Sequence, residues 1–160
     1  MSHAQRLVDA GVEFRGIDRI DIPTVTALVR KHITGVPDFQ MHDSEGGGVA
    51  ISPAGEIIGA VVIGGATFET GRVTFLRDIV VVPEWRGRGL GTVLLNQIPK
   101  LFAADLIVGN CAPSAARLYA NAGFTVLRPK VPLPFPMART PHAIVFDNDV
   151  YPCAIYREIH

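Results

Sequence analysis

The sequence predicts a mixed α/β protein with a largely antiparallel sheet, and three stretches of its 160 residues carry that prediction. Residues 49–82 contain three apolar, strand-like segments separated by the turns Ser52–Gly55 and Glu69–Gly71, a pattern typical of consecutive antiparallel strands. Residues 76–104 run from an apolar strand through a glycine-rich turn into a helix. Residues 112–127 form a helix that ends at a glycine and leads into another strand.

Composition narrows the class of protein. The chain is 48% hydrophobic, which is enough to bury the core of one domain spanning residues 1–160. Fifteen basic residues balance fifteen acidic ones, so nucleic acid and anionic membranes are not expected partners. The N-terminus lacks the apolar core of a signal peptide, and the longest apolar run, Ile57–Phe68, is too short to span a bilayer. We therefore expect a cytoplasmic protein.

The first half of the chain supplies one helix and four strands. Val12–Ile20 alternates apolar and polar residues, which predicts a first strand. Asp21 then stands at an N-cap position and Pro23 in the first turn of a helix that ends near Thr34–Gly35. The polar stretch Val36–Gly48 is a loop or a short second helix. The next three strands are Val49–Ile51, Glu56–Ala66 and Arg72–Val82.

The second half alternates helices and short strands. A helix runs from about Gly89 to Ala104, and Pro99 is expected to kink or divide it because proline lacks an amide hydrogen. A second helix starts at Ala112–Ser114 and ends at Gly123. Arg128–Pro141 holds five prolines and reads as a stiff loop. The strands of this half are Leu106–Val108, Phe124–Leu127, Tyr151–Ile159 and a short one at Ala143–Phe146.

The two cysteines, Cys111 and Cys153, have neither a C-x-x-C nor a Cys/His ligand spacing. The sequence therefore indicates no disulfide framework and no metal site. Buried, unreactive thiols are the expectation.

The glycine-rich turn after the central strand is the clearest chemical motif. It reads Arg86-Gly87-Arg88-Gly89-Leu90-Gly91 and opens a helix. The first N–H groups of a helix lack intrahelical partners and carry the positive end of the dipole, while glycines let a phosphate come close and arginines add charged donors. The turn thus predicts a pyrophosphate site. The alternative is an ordinary helix start with two solvated arginines. The spacing fits neither G-x-x-x-x-G-K-[ST] nor G-x-G-x-x-G.

This turn, preceded by Val-Val-Pro-Glu-Trp, resembles the R/Q-x-x-G-x-G/A acyl-CoA turn of the GNAT superfamily of N-acetyltransferases. Residues 115–124, AARLYANAGF, resemble the A-x-x-L/F-Y-x-x-x-G-F signature at the other end of that site. Both motifs occur in the superfamily's order. The resemblance implies a GNAT fold with a mostly antiparallel sheet of six to seven strands and about four helices. It also implies acetyl-CoA as co-substrate, and no metal.

The resemblance further implies how acetyl-CoA binds. The pyrophosphate would lie on the N–H groups of Gly87–Thr92, and the pantetheine arm would pair with the backbone of Val80–Val82, with an N–H near Val80 stabilising the oxyanion. Many members carry Asn where this chain has Ala112, and Asn110 lies two residues away. The implied cofactor-binding residues are Val80, Val81, Val82, Arg86, Gly87, Arg88, Gly89, Leu90, Gly91 and Thr92.

Two residues are the candidate catalytic groups. Tyr119 stands where the family places the acid that protonates the departing thiolate, and a phenol can donate without first being ionised. Its alternative role is to pack the helix on the sheet. Asp78 interrupts a buried strand, where burial raises a carboxyl pKa, and is the best candidate for the base. Its alternative role is an ion pair with Arg77 or with another cation at the surface of the sheet. Weaker candidate bases are Glu69, His32, His42 and His142.

The predicted function is therefore acetyl-CoA-dependent transfer of an acetyl group to a primary amine of a small molecule or a protein. Loops on a rigid scaffold supply specificity, so residues 36–48 and the proline-rich loop are expected to flank the acceptor groove. The main alternative is a non-catalytic acyl-CoA-binding sensor, because fold alone does not establish chemistry. Balanced charge argues against a toxin that acetylates transfer RNA. Dimers are common in the superfamily, so a homodimer is compatible with the resemblance.

Overall fold

The computed structural model describes residues 1–68, 71–135 and 148–160, without the side chains of 66–68, and contains in this part of the chain four α-helices and one seven-stranded sheet. The helices are α1 (His3–Asp9), α2 (Ile22–His32), α3 (Leu90–Leu101) and α4 (Ala116–Asn121). The strands are β1 (Glu13–Gly16), β2 (Gly46–Ile51), β3 (Ile57–Phe68), β4 (Gly71–Val81), β5 (Leu106–Cys111), β6 (Thr125–Val126) and β7 (Cys153–Glu158).

The sheet order is β1-β2-β3-β4-β5-β7-β6. The pairs β1/β2, β2/β3, β5/β7 and β6/β7 are antiparallel, and β4 runs parallel to β5. A parallel pair needs a crossover, and α3 lies between β4 and β5 in the chain. The predicted mixed α/β class, the mostly antiparallel sheet and the numbers of strands and helices are confirmed.

The described chain forms two compact units, of which the first comprises residues 1–63 and 77–101. Helix α3 approaches the β3 backbone closely at Gly59, where a Cβ atom would lie 3.0 Å from Leu94 Cδ1 and 3.1 Å from Leu90 Cδ2. Side chains of α2, β2, β3 and β4, and of the segment between α2 and β2, share a buried core, which consists of Val25, Val29, Phe39, Val49, Ala60, Val62 and Val80.

The second unit comprises residues 64–76 and 102–160. Within it, Val73–Phe75 of β4 pairs in parallel register with Leu106–Val108 of β5, and β7 pairs along the whole of β5. Its buried core contains Val73, Val108, Leu133 and Ala154. The strand expected at Ala143–Phe146 lies outside the described residues.

Helix α1 is absent from the sequence prediction. Its seven residues are too few to show a helical period, yet its ends carry ordinary signals: the Ser2 hydroxyl accepts the N–H of Gln5 at 3.1 Å, and Gly11 follows with φ of +88°. Leu7 is its buried side chain. Tertiary packing of this residue therefore compensates for a helix too short to be stable alone.

The prediction that Asp21 caps α2 is wrong in its chemistry. Asp21 stands at the N-cap position of α2 but makes no capping bond there. Its carboxylate instead accepts both terminal nitrogens of Arg15, at 2.6 and 3.0 Å, and the N–H of Asp18 at 2.7 Å. The bidentate bond pairs two opposite charges through two hydrogen bonds, whereas a helix N–H offers the carboxylate one uncharged donor, which is why the arginine takes the carboxylate. The first strand is accordingly shorter than predicted, because Arg19–Asp21 forms a 3-10 turn.

Helix α3 continues through Pro99 and ends at Leu101, so Pro99 does not divide it. Proline removes only one helical bond, and so near the end of a helix little of the helix remains to be disrupted. The Ser52–Gly55 turn is confirmed, with Gly55 at φ of +82° donating its N–H to the carbonyl of Ser52 at 2.9 Å. Among the described helices, none is long and apolar enough to cross a membrane.

Candidate active site

The glycine-rich turn connects β4 to α3, as predicted. Pro83–Trp85 forms a 3-10 turn, and Leu90 is the first residue of the 12-residue helix α3. The first turn of α3 contains no acidic residue, so no carboxylate competes for its N–H groups. Both Gly87, at φ of +76°, and Gly89, at φ of +82°, adopt the left-handed conformation that side chains rarely enter. The turn therefore requires glycine at both positions.

The two glycines have different surroundings. A Cβ atom at Gly87 would meet no heavy atom within 4 Å, so the space above it is open. A Cβ atom at Gly89 would overlap the ring of His3, which places α1 directly on the turn. The Nδ1 atom of that ring lies 2.7 Å from a terminal nitrogen of Arg6. No motif in residues 1–9 marks a partner for residue 89, so spacing could not predict this contact.

The two arginines of the turn are exposed and lie against their own neighbours. Arg86 donates from Nε to the carbonyl of Val81 at 3.0 Å. The guanidinium of Arg88 stacks on Trp85, 4.5 Å from the ring centroid. Trp85 thus packs against its own turn, and both arginines are held beside the glycines.

At the end of β4, successive residues direct their backbone N–H and C=O groups to opposite edges of the strand. The N–H of Val82 donates to the carbonyl of Ile58 on β3 at 2.9 Å, whereas the carbonyl of Val81 accepts from the side chain of Arg86. Successive residues of an extended strand direct their N–H and C=O groups to opposite edges. Val80 therefore faces β3, as Val82 does, and Val81 faces the other edge.

Asp78 lies in β4, four residues before the end of the sequence-predicted strand, and is half-buried. Burial raises the pKa of its carboxyl from the ordinary 3.8 to about 6, with Arg77 opposing the rise and Glu45 adding to it. In the described part of the chain, the carboxyl of Asp78 makes no hydrogen bond or ion pair. The alternative role of an Asp78–Arg77 ion pair is not what the structure contains, because Arg77 is bonded elsewhere.

Arg77 contacts the segment that directly precedes β2. Its Nη1 atom bonds the Glu45 carboxylate at 2.5 Å and the Gln40 carbonyl at 2.7 Å, and its guanidinium stacks 4.4 Å from the centroid of Phe39. Glu45 also accepts the N–H of His42 at 2.7 Å. Sequence reasoning missed Glu45 and Phe39 altogether, since their partner lies more than thirty residues away.

Tyr119 lies in α4, in the second unit, and is 7% exposed. Its ring packs edge-on against Phe124, with centroids 5.8 Å apart. The helix ends at Gly123 with φ of +83°, and the N–H of Phe124 donates to the carbonyl of Tyr119 at 3.0 Å. The second motif therefore folds as the predicted helix, glycine turn and strand, and its tyrosine has a packing role whatever its chemical role.

Asn110 lies in β5, two residues before Ala112. Its side-chain amide donates to the carbonyl of Tyr151 at 3.0 Å, which joins β5 to the segment leading into β7. The donor is thus used inside the second unit.

Cys111 and Cys153 are free and buried, as expected, and are register partners across β5 and β7. Burial is the main cause that raises the pKa of the Cys111 thiol to about 11. A protonated thiol is a poor nucleophile, so neither chemistry nor metal binding is indicated for this pair.

Comparison with known proteins agrees with this architecture. A family model described as "Acetyltransferase (GNAT) domain" matches residues 45–126. No curated protein matches the chain. A histone acetyltransferase HPA2 and related acetyltransferase from Corynebacterium glutamicum is 18% identical, with a TM-score of 0.63 over 92% of this chain and 96% of that one.

Two further solved structures are similar. A phosphinothricin acetyltransferase from Sinorhizobium meliloti, in complex with AcCoA, is 16% identical, with a TM-score of 0.64 over 92% of this chain and 88% of that one. Naa50 from Arabidopsis thaliana, in complex with the bisubstrate analogue CoA-Ac-MVNAL, is 13% identical, with a TM-score of 0.63 over 92% and 99%. At these identities the likeness concerns the fold.

The matched family model covers more than half of the chain and includes both motifs. The chain therefore belongs to the GNAT family. It is an acetyltransferase, and the solved relatives of this fold bind acetyl-CoA or CoA analogues.

Proposed function

We propose that this acetyltransferase transfers the acetyl group of acetyl-CoA to a primary amine of a small molecule or a protein, with residues 1–160 acting as one domain. The observation that carries the proposal is Asp78, a half-buried carboxyl with a pKa of about 6 and no bonded partner in the described chain, on the strand that leads into the glycine turn. Such a group is suited to remove a proton from an attacking ammonium.

The residues of the turn fit acetyl-CoA. The open space above Gly87, the unopposed N–H groups at the start of α3 and the two arginines suit a pyrophosphate, so Arg86–Thr92 would hold it. Acetyl-CoA supplies the acyl group as an activated thioester. The alternation of β4 favours the N–H of Ile79 or Val81, rather than that of Val80, as donor to the carbonyl oxygen, and Val80–Val82 would line the pantetheine arm.

Two side chains would move the protons. At pH 7.5 a carboxyl with a pKa of about 6 is mostly ionised and can accept a proton from the amine, directly or through water. The phenol of Tyr119 would protonate the departing thiolate, an assignment that depends on its place in the second motif.

The test is a thiol-release assay with phosphinothricin, the peptide MVNAL and a lysine-containing histone-tail peptide as acceptors. We expect Asp78→Asn and Tyr119→Phe each to lower kcat by about a hundredfold or more while acetyl-CoA affinity, measured by calorimetry, changes little. The wild type should show an acidic limb near pH 6 in kcat/KM, and that limb should be missing in Asp78→Asn.

The competing reading is a sensor that binds acyl-CoA without chemistry. Tight acetyl-CoA binding together with no thiol release from any acceptor would favour that reading. Full activity in Asp78→Asn would remove Asp78 from the mechanism. Homodimer formation and a cytoplasmic location stay predictions, the former open to light scattering.

A further inference from the structure

Two arginines from different elements hold residues 36–45, the segment that links α2 to β2. Arg30 of α2 donates from Nε to the carbonyl of Phe39 at 2.8 Å. Arg77 of β4 donates to the next carbonyl, that of Gln40, at 2.7 Å. Two consecutive carbonyls without a sheet or helix partner are thus each bonded to a cation, and such charge-assisted bonds are stronger than neutral ones.

Arg77 makes two further contacts with the same segment. Its ion pair with Glu45 is sheltered, because the Glu45 side chain is 9% exposed, and the Phe39 ring beneath the guanidinium is buried. Sheltered pairs are screened less by salt than surface pairs. A single side chain thereby fixes the segment at three points, namely a carbonyl, a carboxylate and an aromatic face.

We propose that Arg77 is a positioning residue that clamps the 36–45 segment against β4 beside Asp78 and so forms the acceptor side of the active site. The inference rests on the proposed function, in which Asp78 accepts the proton of the amine. The exposed side chains of the clamped segment, among them Gln40 and His42, are then held where an amine must approach. A rigid segment at that position lowers the entropy cost of orienting the acceptor.

The clamp also sets the charge around Asp78. The charged groups that act on Asp78 are Arg77, its neighbour on β4, and Glu45, from the clamped segment. Arg77 lowers the pKa of Asp78 and Glu45 raises it. A neutral substitution of Arg77 and one of Glu45 therefore break the same ion pair but move the pKa of Asp78 in opposite directions. This difference separates the electrostatic effect on Asp78 from the loosening of the segment.

The test compares four variants of the full chain: Arg77→Met, Arg77→Lys, Glu45→Gln and Arg30→Met. Hydrogen exchange of residues 36–45 reports on the clamp, and carbon-detected NMR of the Asp78 carboxyl reports its pKa. In Arg77→Met we expect exchange to accelerate on the order of tenfold and the pKa of Asp78 to rise. In Glu45→Gln the pKa should fall. Arg30→Met is the matched control, which loosens the segment without moving that pKa.

Kinetics add a third readout, on whichever acceptor the wild type acetylates fastest. Arg77→Met should raise the acceptor KM by about tenfold or more, lower kcat less, and leave acetyl-CoA affinity unchanged, while Arg77→Lys should recover most of the loss. Unchanged exchange in Arg77→Met, or a pKa that moves in the same direction in Arg77→Met and Glu45→Gln, would overturn the clamp.

Different results would contradict the proposed function and the Arg77 clamp. If no acceptor is turned over, or if Asp78→Asn is fully active, the proposed function is wrong, yet exchange and the NMR titration still decide whether Arg77 clamps the segment. If exchange is unchanged while Asp78→Asn is inactive, only the clamp is wrong.

Discussion

Among single residues, Asp78 has the property that supports the proposed chemistry most directly. Its carboxyl is half-buried, and burial keeps its pKa near 6, above the ordinary 3.8. A base with this pKa is ionised at physiological pH and yet retains affinity for a proton, the compromise that general base catalysis needs. The same desolvation costs stability whenever the group is charged, so the site trades stability for reactivity.

The two turn glycines give a second prediction at this scale. Gly87→Ala should cost about 1–2 kcal/mol, because it forces an alanine into the left-handed region with nothing nearby to strike. Gly89→Ala should cost more, because the new methyl group also overlaps His3. Urea unfolding measures both. The double variant His3→Ala/Gly89→Ala should recover part of the difference, and additive costs would show that α1 does not lie on the turn.

Among the helices and strands, α3 matters most to the proposed function. Its N-terminus carries the proposed phosphate site, and Leu90 and Leu94 pack on β3 at Gly59. Its close approach depends on Gly59, where a side chain would strike Leu90, Leu94 and the carbonyl of Val80. The position of the phosphate site is therefore coupled to packing on the opposite side of the helix. A binding defect can arise here without any change in a ligand contact.

We expect Gly59→Ala to destabilise the protein by about 1–3 kcal/mol and to weaken acetyl-CoA binding, because the methyl group pushes the start of α3 away from β3. Gly65→Ala on the same strand is the control, since the nearest atom to its Cβ, the carbonyl oxygen of Val73, is 3.9 Å away. Thermal unfolding and calorimetry measure the two effects. Equal behaviour of the two variants would contradict the coupling.

At the scale of the whole molecule, stability should depend on pH through two carboxyls with opposite shifts. The pKa of Asp78 is raised in the folded state, so its protonation adds stability as pH falls through about 6 to the ordinary 3.8, and that contribution is lost as pH rises through about 6. The pKa of Asp21 is lowered, chiefly by its hydrogen bond with Arg15, so its contribution is present above the ordinary 3.8 and is lost as pH falls below that value.

Through these two groups, urea unfolding should therefore show a stability that increases as pH falls from 7 to about 4 and decreases below about 4. Asp78→Asn should be more stable than the wild type at pH 7.5 by at most about 3 kcal/mol, the free energy that corresponds to a pKa raised from 3.8 to about 6, and the gain should vanish near pH 4. Asp21→Asn should be less stable at pH 7.5, because half-buried Arg15 is left without its carboxylate partner. A wild-type stability that rises steadily from pH 5 to pH 8 would contradict the assignment for Asp78.

The sequence by itself determined the elements whose signals are local. The alternation of β3 and β4, the Ser52–Gly55 turn, the glycine turn before α3 and the helix that ends at Gly123 each depend on residues a few positions apart, so spacing predicts them. Both motifs lie in such elements, which is why the family could be predicted from residues 76–127 alone.

Only the tertiary structure decided which distant residues meet. Arg77 finds Glu45 across thirty-two positions, His3 lies on Gly89, and Arg15 removes Asp21 from its expected capping role. Such contacts are set by strand register and by the docking of helices on the sheet, and an ion pair has no periodicity that a linear sequence could display. The predicted chemistry of the turn therefore follows from residues that are close in sequence, whereas the surroundings of Asp78 depend on the tertiary fold.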